Sequence, residues 1–135
     1  MGAPGARSRL TPGVTLDTGA LNAIERADRR MQALLDEAQT AGLPIDIPAG
    51  PLAQAWRSGP RQVRLARTLH LANVTVPALD EPNAKAAGIL CGQRGTHDAI
   101  DASVVLNARR RDQTVITSDP ADLRHLDANV RIIEI

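Results

Sequence analysis

The sequence is almost without aromatic residues. Phe and Tyr are absent, and Trp56 is the only Trp. A hydrophobic core made from this chain must therefore pack Leu, Ile, Val and Ala against one another. The same scarcity excludes stacking of bases on aromatic side chains as a main mode of nucleic-acid recognition.

Cysteine is nearly absent as well, since Cys91 stands alone. A single cysteine excludes an internal disulfide framework and a zinc site built from several cysteines, so a reducing, cytoplasmic compartment is expected. The sequence also has no apolar run of membrane-spanning length, and no membrane association is expected. Sixteen basic and 15 acidic residues leave a formal charge of +1, so overall charge does not indicate a nucleic-acid partner.

The length of 135 residues, of which 43% are hydrophobic, predicts one domain with one ordinary core. Residues 1–12 are rich in Gly, Pro, Ala and Arg without apolar periodicity, and this composition predicts a flexible N-terminal leader. The folded domain is expected to cover residues 13–135.

Within residues 13–135, short apolar strands alternate with segments of helical periodicity. We predict one helical stretch from Leu21 to Ala38, a helix from Pro60 whose Val63 faces inward, and a helix from Pro82 that is punctuated at Gly92 and Gly95. Helices are also predicted over residues 52–56, 97–111 and 120–126, and strands over residues 14–16, 45–47, 74–76, 114–117 and 131–135.

This alternation predicts an α/β fold with three layers, in which a central parallel sheet of about five strands is flanked by helices. In such a sheet the helices begin at the carboxyl edge of the strands, where ligands bind. Asp17 ends the first strand, Asp119 ends the fourth, and Asp98 and Asp101 begin the helix before the fourth. All four carboxylates are therefore expected at one edge.

Carboxylates gathered in this way repel one another unless a cation neutralises them, and oxygen ligands suit Mg²⁺ or Mn²⁺. We expect Asp17, Asp98 and Asp119 to ligate the ion, with Asp101 in the second shell or at a weaker second position. Each residue has a simpler role too, because Asp17, Asp98 and Asp119 can cap helices or favour a helix dipole. Asp119 followed by Pro120 is a particularly good helix start.

Three segments resemble the acidic motifs of the PIN-domain family, in particular the VapC-like toxins of bacterial toxin–antitoxin pairs. They are residues 16–21 (LDTGAL), 98–102 (DAIDA) and 117–123 (TSDPADL), and the similarity extends over residues 13–135. The resemblance implies a PIN-like fold and an endoribonuclease with Mg²⁺ or Mn²⁺ on Asp17, Asp98 and Asp119. It also implies that Thr117 and Ser118 orient Asp119, and that the chain forms a homodimer with a cognate antitoxin as partner.

The chain departs from this family at the second motif, where Gln54 stands in place of the usual Glu. A neutral amide can hold a water by hydrogen bonds but supplies no charge, so either a weakened nuclease or a non-catalytic module that binds RNA or a protein is implied. Glu25 is considered as a compensating acid, although a solvated surface position suits it better.

Basic residues on one segment offer a further possibility. Arg57, Arg61, Arg64 and Arg67 recur at near-helical spacing, which fits either a track for the RNA backbone or an ordinary solvated face. A receiver domain would need an acidic pair after the first strand and a Lys near the last, and a nucleotide phosphotransferase would need a Gly-rich phosphate loop. The sequence has neither.

Overall fold

The computed structural model describes residues 8–135, and its centre is a parallel sheet of five strands in the order β3-β2-β1-β4-β5. Every neighbouring pair is parallel, and Val14 of β1 pairs with Ile45 on one side and with Thr114 on the other. The α/β fold with a parallel sheet of five strands is confirmed. The strands are β1 (Val14–Leu16), β2 (Ile45–Asp46), β3 (Val74–Thr75), β4 (Thr114–Thr117) and β5 (Ile132–Glu134).

Seven α-helices connect the strands, and a 3₁₀ turn at Pro60–Gln62 precedes the fourth helix. Several of them begin at an acidic residue that caps the first turn with its carboxylate. The helices are α1 (Thr18–Glu25), α2 (Arg29–Thr40), α3 (Ala49–Ala55), α4 (Val63–Leu69), α5 (Glu81–Arg94), α6 (Ala99–Arg111) and α7 (Pro120–Leu126). No helix within residues 8–135 has the length and apolar character needed to cross a bilayer.

All five strands are parallel, but the chain adds them first on one side of β1 and then on the other, where β4 lies. From β1 the chain moves outward to β2 and β3, then crosses back to β4 and continues to β5 on the other side. Right-handed crossovers therefore put α1, α2 and α4 on one face of the sheet and α5, α6 and α7 on the other. The gap between the carboxyl ends of β1 and β4 is the topological switch point, where ligands bind in folds of this kind.

Two aliphatic clusters fill the space between the layers. One packs Leu16, Leu21, Leu34 and their neighbours under α1 and α2, and the other packs residues such as Val104 and Leu123 under α5, α6 and α7. Gly50 allows α3 to approach α6 closely, because a Cβ there would lie 2.9 Å from the Ile100 side chain. The expected aliphatic core is present in both clusters.

The structure corrects the predicted helix between β1 and β2. The stretch from Leu21 to Ala38 is two helices, since Ala27 takes a left-handed conformation (φ 55°) and Asp28 caps α2 by accepting a hydrogen bond from the backbone of Met31. The apolar spacing is unaffected by this break because both helices bury the same side of the stretch. Periodicity alone therefore gave no sign of it.

Two details of the later helices were also predicted wrongly. In α4 the buried residues are Leu65 and Thr68, whereas Val63 is 49% exposed, because the 3₁₀ turn before α4 rotates its face relative to a continuous helix from Pro60. Gly92 does not interrupt α5, which continues to Arg94. Helix α5 ends where Gly95 adopts the left-handed conformation, a common helix terminator.

Residues just before β1 are packed against the domain. Leu10 is completely buried in the cluster under α1 and α2, and the Ser8 hydroxyl donates to Glu37 at 2.6 Å. Packed chain therefore precedes Gly13 by at least five residues. The predicted leader over residues 1–12 stays a prediction for residues 1–7, which lie outside the described part of the chain.

Asp46 on β2 is a buried acid that the sequence analysis did not single out. It has no solvent exposure and accepts hydrogen bonds from Thr75 at 3.0 Å, from Asn107 at 3.1 Å and from Arg111 at 3.1 Å. The Gln113 amide, turned with its nitrogen towards Asp46, adds a further donor at 3.2 Å. This network joins β2, β3 and α6 in the middle of the molecule.

Candidate metal centre at the carboxyl edge of the sheet

Asp17 is the most buried acid at the switch point, with 5% of its surface exposed. It leaves β1 and caps α1, one carboxylate oxygen accepting from the backbone of Ala20 at 2.9 Å and the other from the Thr117 hydroxyl at 2.5 Å. Each oxygen keeps a further lone pair, so capping does not prevent Asp17 from holding a cation. The two roles proposed for Asp17 are compatible.

Thr117 is the last residue of β4 and links the two strands that flank the switch point. While its hydroxyl donates to Asp17, it also accepts from the backbone N–H of Asp119 at 2.9 Å. Because Thr117 is fully buried, this link has little freedom to move. Thr117 therefore contacts the backbone of Asp119 directly, which is compatible with its predicted role in orienting that residue.

Ser118 does something different from what was expected of it. Its side chain makes no hydrogen bond to Asp119 within residues 8–135 and instead lies over Gly19, where any Cβ would collide with the Ser118 hydroxyl. Gly19 thus allows α1 to approach the loop after β4 closely without displacing the Ser118 hydroxyl. Among the described residues Thr117 holds the Asp119 backbone, and a part of Ser118 in orienting Asp119 stays a prediction.

Asp98 and Asp101 lie at the start of α6, as predicted. Asp98 caps the helix by accepting from the backbone N–H of Asp101 at 2.9 Å, and its carboxylate contributes to the raised pKa of Asp101. Asp98 is exposed and Asp101 is half-buried. The pair therefore presents two carboxyl groups on the same face of the first turn of α6.

Asp119 occupies the cap position of α7 but makes no capping hydrogen bond with its side chain. A carboxylate used for capping would accept a hydrogen bond from the first turn of the helix. The Asp119 carboxylate is therefore free of the capping role and available to a cation. Its partner is Asp122, an acid one turn away that the sequence analysis did not include in the site. The i, i+3 spacing of Asp119 and Asp122, the same as that of Asp98 and Asp101, was the signal that could have identified it.

The carboxyl groups at this edge affect one another's pKa values. Burial raises the pKa of Asp17 and the charge of Asp119 adds to it, whereas hydrogen bonds from Thr117 and Ala20 act in the opposite direction. Burial and the neighbouring Asp98 carboxylate, with smaller contributions from Asp17 and Asp122, raise the pKa of Asp101 to about 7.

Asp122 is affected in the same direction. Its hydrogen bond with Asp119 and the charge of that residue raise the pKa of Asp122, and the charge of Asp98 contributes further. Carboxylates from β1, α6 and the start of α7 thus act on one another across the switch point. We call these five residues the acidic cluster: Asp17, Asp98, Asp101, Asp119 and Asp122.

The acidic cluster has an excess of negative charge that suits a cation. In the part of the chain that the structure describes, no Lys, Arg or His forms an ion pair with any of its five carboxylates. No three His, Cys, Asp or Glu side chains among residues 8–135 lie close enough together to bind one ion directly in this arrangement. The donor set of oxygens nevertheless fits Mg²⁺ or Mn²⁺, of which Mg²⁺ in particular usually keeps several waters between itself and the protein.

Gln54 on α3 reaches the same edge. Its side-chain carbonyl accepts a 2.5 Å hydrogen bond from Thr18, the residue that follows Asp17. Glu25 does not join the acidic cluster, because it lies further along α1 and accepts from the Gln62 amide at 2.5 Å. Gln54 therefore stands beside the acidic cluster with a neutral amide, and Glu25 does not replace the missing charge.

Comparison with known proteins agrees with the fold. No family model and no curated protein sequence matches the chain significantly. Among solved structures, a chain in VapBC2 from Rickettsia felis bound to a DNA fragment from its promoter has a TM-score of 0.67 and 16% identity, covering 90% of this chain and 98% of that one. FitAB bound to the IR36 DNA fragment gives 0.61 and 17% identity, covering 90% of this chain and 94% of that one.

A third similar structure is FitAcB from Neisseria gonorrhoeae, with a TM-score of 0.58, 19% identity, and coverage of 90% of this chain and 96% of that one. The three matches extend over nearly the whole of both chains in each comparison. At this level of identity they establish the fold. The PIN-like architecture expected from the sequence is confirmed.

Proposed function

We propose that the protein is a metal-dependent endoribonuclease of the PIN type and the toxin of a toxin–antitoxin pair. The observation that carries the proposal is the acidic cluster, in which burial and neighbouring carboxylates raise the pKa of Asp17, Asp101 and Asp122 and no residue of the described chain forms an ion pair with the cluster. The similarity to VapBC2 and FitAB supports the same assignment. A homodimer, a cognate antitoxin and a cytoplasmic location belong to the proposal.

In this proposal Asp17, Asp98 and Asp119 hold Mg²⁺ or Mn²⁺ directly or through water. Asp17 is fixed by Thr117 and the α1 backbone, Asp98 has a carboxylate oxygen not used in capping, and the Asp119 carboxylate makes no capping bond. Such an ion polarises a phosphodiester and lowers the pKa of an attacking water. Asp101 supplies the second shell or a weaker second position.

A second candidate function follows from Gln54. Its carbonyl is held by Thr18 next to Asp17, at the place where an additional carboxylate would strengthen cation binding. A neutral residue there favours a PIN-type module with weakened or no catalysis that binds RNA or a protein partner. The two candidates differ in whether the acidic cluster of the native protein binds a divalent ion and cuts RNA.

Calorimetric titration with Mn²⁺ and Mg²⁺, paired with cleavage of a labelled RNA, separates them. Asp98→Asn keeps a good helix cap, so it should fold while losing ion binding and at least 100-fold in cleavage rate. Asp80→Asn is the matched control, because Asp80 caps α5 in the same way at 3.0 Å and lies outside the acidic cluster.

The expected result is saturable ion binding in the native protein and in Asp80→Asn, its loss in Asp98→Asn, and tighter binding with faster cleavage in Gln54→Glu. Ion binding and cleavage that appear only in Gln54→Glu would instead establish the non-catalytic module. Equal cleavage by native protein and Asp98→Asn would show that the site is assigned wrongly.

A further inference from the structure

An open pocket of about 440 Å³ lies next to Gln54, the residue that stands beside the acidic cluster. Its lining comes from α1, α3 and the loop between α3 and α4. The volume falls within the range of pockets that hold small organic ligands. Its lining includes Asn22, Gln54, Arg57, Arg61 and Gln62.

Gln54 links the pocket to the acidic cluster, because it lines the pocket and its side chain accepts a hydrogen bond from Thr18, the residue after Asp17. Thr18, Asn22 and Glu25 recur at i, i+4 and i+7, so they follow one another along the same side of the helix. Asn22 therefore lies roughly 6 Å along the axis from Thr18, which holds Gln54 next to Asp17. A strand with one phosphate at the acidic cluster would place a neighbouring nucleotide at the pocket.

The rim of the pocket carries two arginines without an acidic partner in the described part of the chain. Within residues 8–135 the Arg57 guanidinium donates to the carbonyl oxygens of Ala53 and Trp56, at 3.3 and 2.7 Å, and neither Arg57 nor Arg61 forms an ion pair. Both guanidinium groups thus retain donors for phosphate oxygens. The carboxylate of Glu25, the one acid of the lining, is hydrogen bonded to Gln62.

Gln62 holds the rim in a fixed shape. This side chain is buried; its carbonyl accepts from the backbone of Arg57 at 2.6 Å and of Ser58 at 2.7 Å, and its amide donates to Glu25 at 2.5 Å and to the Ala55 carbonyl at 2.7 Å. All four bonds of one amide are therefore used to position this loop. The pocket is organised before any ligand binds, which lowers the entropic cost of binding.

We propose that this pocket is a subsite for a nucleotide of single-stranded RNA next to the scissile phosphate. Arg57 and Arg61 bind the phosphate, while the amides of Asn22 and Gln54 face the sugar and base. The proposal rests on the proposed nuclease function and adds to it the path of the substrate. It also divides the four arginines of this segment, since Arg64 and Arg67 line a different depression with residues of α2.

That division provides a matched pair of variants. Arg57→Ala/Arg61→Ala and Arg64→Ala/Arg67→Ala each remove two positive charges, so they change the overall charge equally. Binding of a fluorescent 12-nucleotide single-stranded RNA is measured by anisotropy in EDTA, where a metal-dependent nuclease cannot cut. KM and kcat for cleavage are then measured with Mn²⁺.

We expect the Arg57/Arg61 variant to weaken RNA binding at least tenfold and to reduce the slope of log affinity against log salt by about 1.4, the value for two phosphate contacts on a single strand. Its KM should rise while kcat changes less than threefold. The Arg64/Arg67 variant should bind within about twofold of native protein.

Equal loss of RNA affinity in both variants would show that only the overall positive charge matters, and it would overturn the proposal. Unchanged RNA affinity in the Arg57/Arg61 variant would overturn it too and leave the pocket to a protein segment. Because anisotropy does not depend on cleavage, RNA binding lost only in the Arg57/Arg61 variant supports the subsite even if the nuclease assignment fails. Cleavage that requires Asp98 but not Arg57 and Arg61 would sustain the nuclease and reject the subsite.

Discussion

At the residue scale, Asp101 shows the cost of collecting acids at one point. Its folded pKa of about 7 lies well above the ordinary value of 3.8, because burial and the Asp98 carboxylate both disfavour ionisation. Between these two values the folded chain binds more protons than the unfolded chain at this residue, so stability falls as pH rises through the window. The penalty is complete above about pH 7 and absent below about pH 4.

Asp101→Asn should therefore stabilise the metal-free protein in a manner that depends on pH. In EDTA at pH 8 we expect a gain on the order of 1 kcal/mol, roughly 4 °C in Tm, because solvent screens a half-buried carboxyl. The gain should vanish near pH 4. Thermal denaturation of native protein and Asp101→Asn across pH 4–8 checks this, with the exposed Asp36→Asn as control. A lower Tm for Asp101→Asn than for native protein at pH 8 would show that ionised Asp101 does not destabilise the fold.

At the scale of elements, the candidate site depends on how closely α1 approaches the loop between β4 and α7. The Ser118 side chain occupies the place where a Cβ of residue 19 would stand, and Thr117 next to it bonds Asp17. The helix and the loop are therefore positioned by one small residue and one hydroxyl. This contact sets the spacing of Asp17 and Asp119, which no local preference of either segment determines.

Gly19→Ala tests that contact. A methyl group there pushes the Ser118 side chain aside, and we expect a loss of about 1–2 kcal/mol in the free energy of unfolding, the usual cost of overpacking. Urea denaturation measures it. In Gly19→Ala/Ser118→Ala the collision with the hydroxyl is gone, so the double variant should recover at least half of the loss; purely additive effects of the two substitutions would show that they do not interact.

At the scale of the whole molecule, the buried Asp46 joins β2 and β3 of the sheet to α6. Arg111 at the end of α6 is its only ion-pair partner within the described residues, at 3.1 Å, and Thr75, Asn107 and Gln113 complete the hydrogen bonds. A buried charge of this kind is costly when its partner is removed, because it cannot regain the water that it lost on folding.

Arg111→Ala is therefore expected to lower the free energy of unfolding by about 3 kcal/mol, which is at the lower end for a broken buried pair because Arg111 is half exposed. Adding Asp46→Asn removes the unpaired charge, so the double variant should be more stable than Arg111→Ala alone. Arg110→Ala, the neighbouring exposed arginine, serves as control in the same urea titrations. A double variant less stable than Arg111→Ala would show that packing, not charge, explains the loss.

The sequence by itself determined the parallel α/β fold and the edge at which the acids meet. Alternating strands and helices permit few topologies, and Asp17 and Asp119 lie within two residues of strand ends, so their position required no knowledge of side-chain packing. The order of the acidic motifs was visible for the same reason. Chain direction and strand ends are local properties of a sequence.

Only the tertiary structure decided which side chains touch. It broke the first helical stretch at Ala27 and turned α4 so that Leu65 rather than Val63 is buried. It also formed the pocket from α1 and the loop after α3, which are some 30 residues apart in the chain. These outcomes depend on contacts between distant segments, and the energy of such contacts is set by the geometry of packing, which periodicity and motif spacing do not contain.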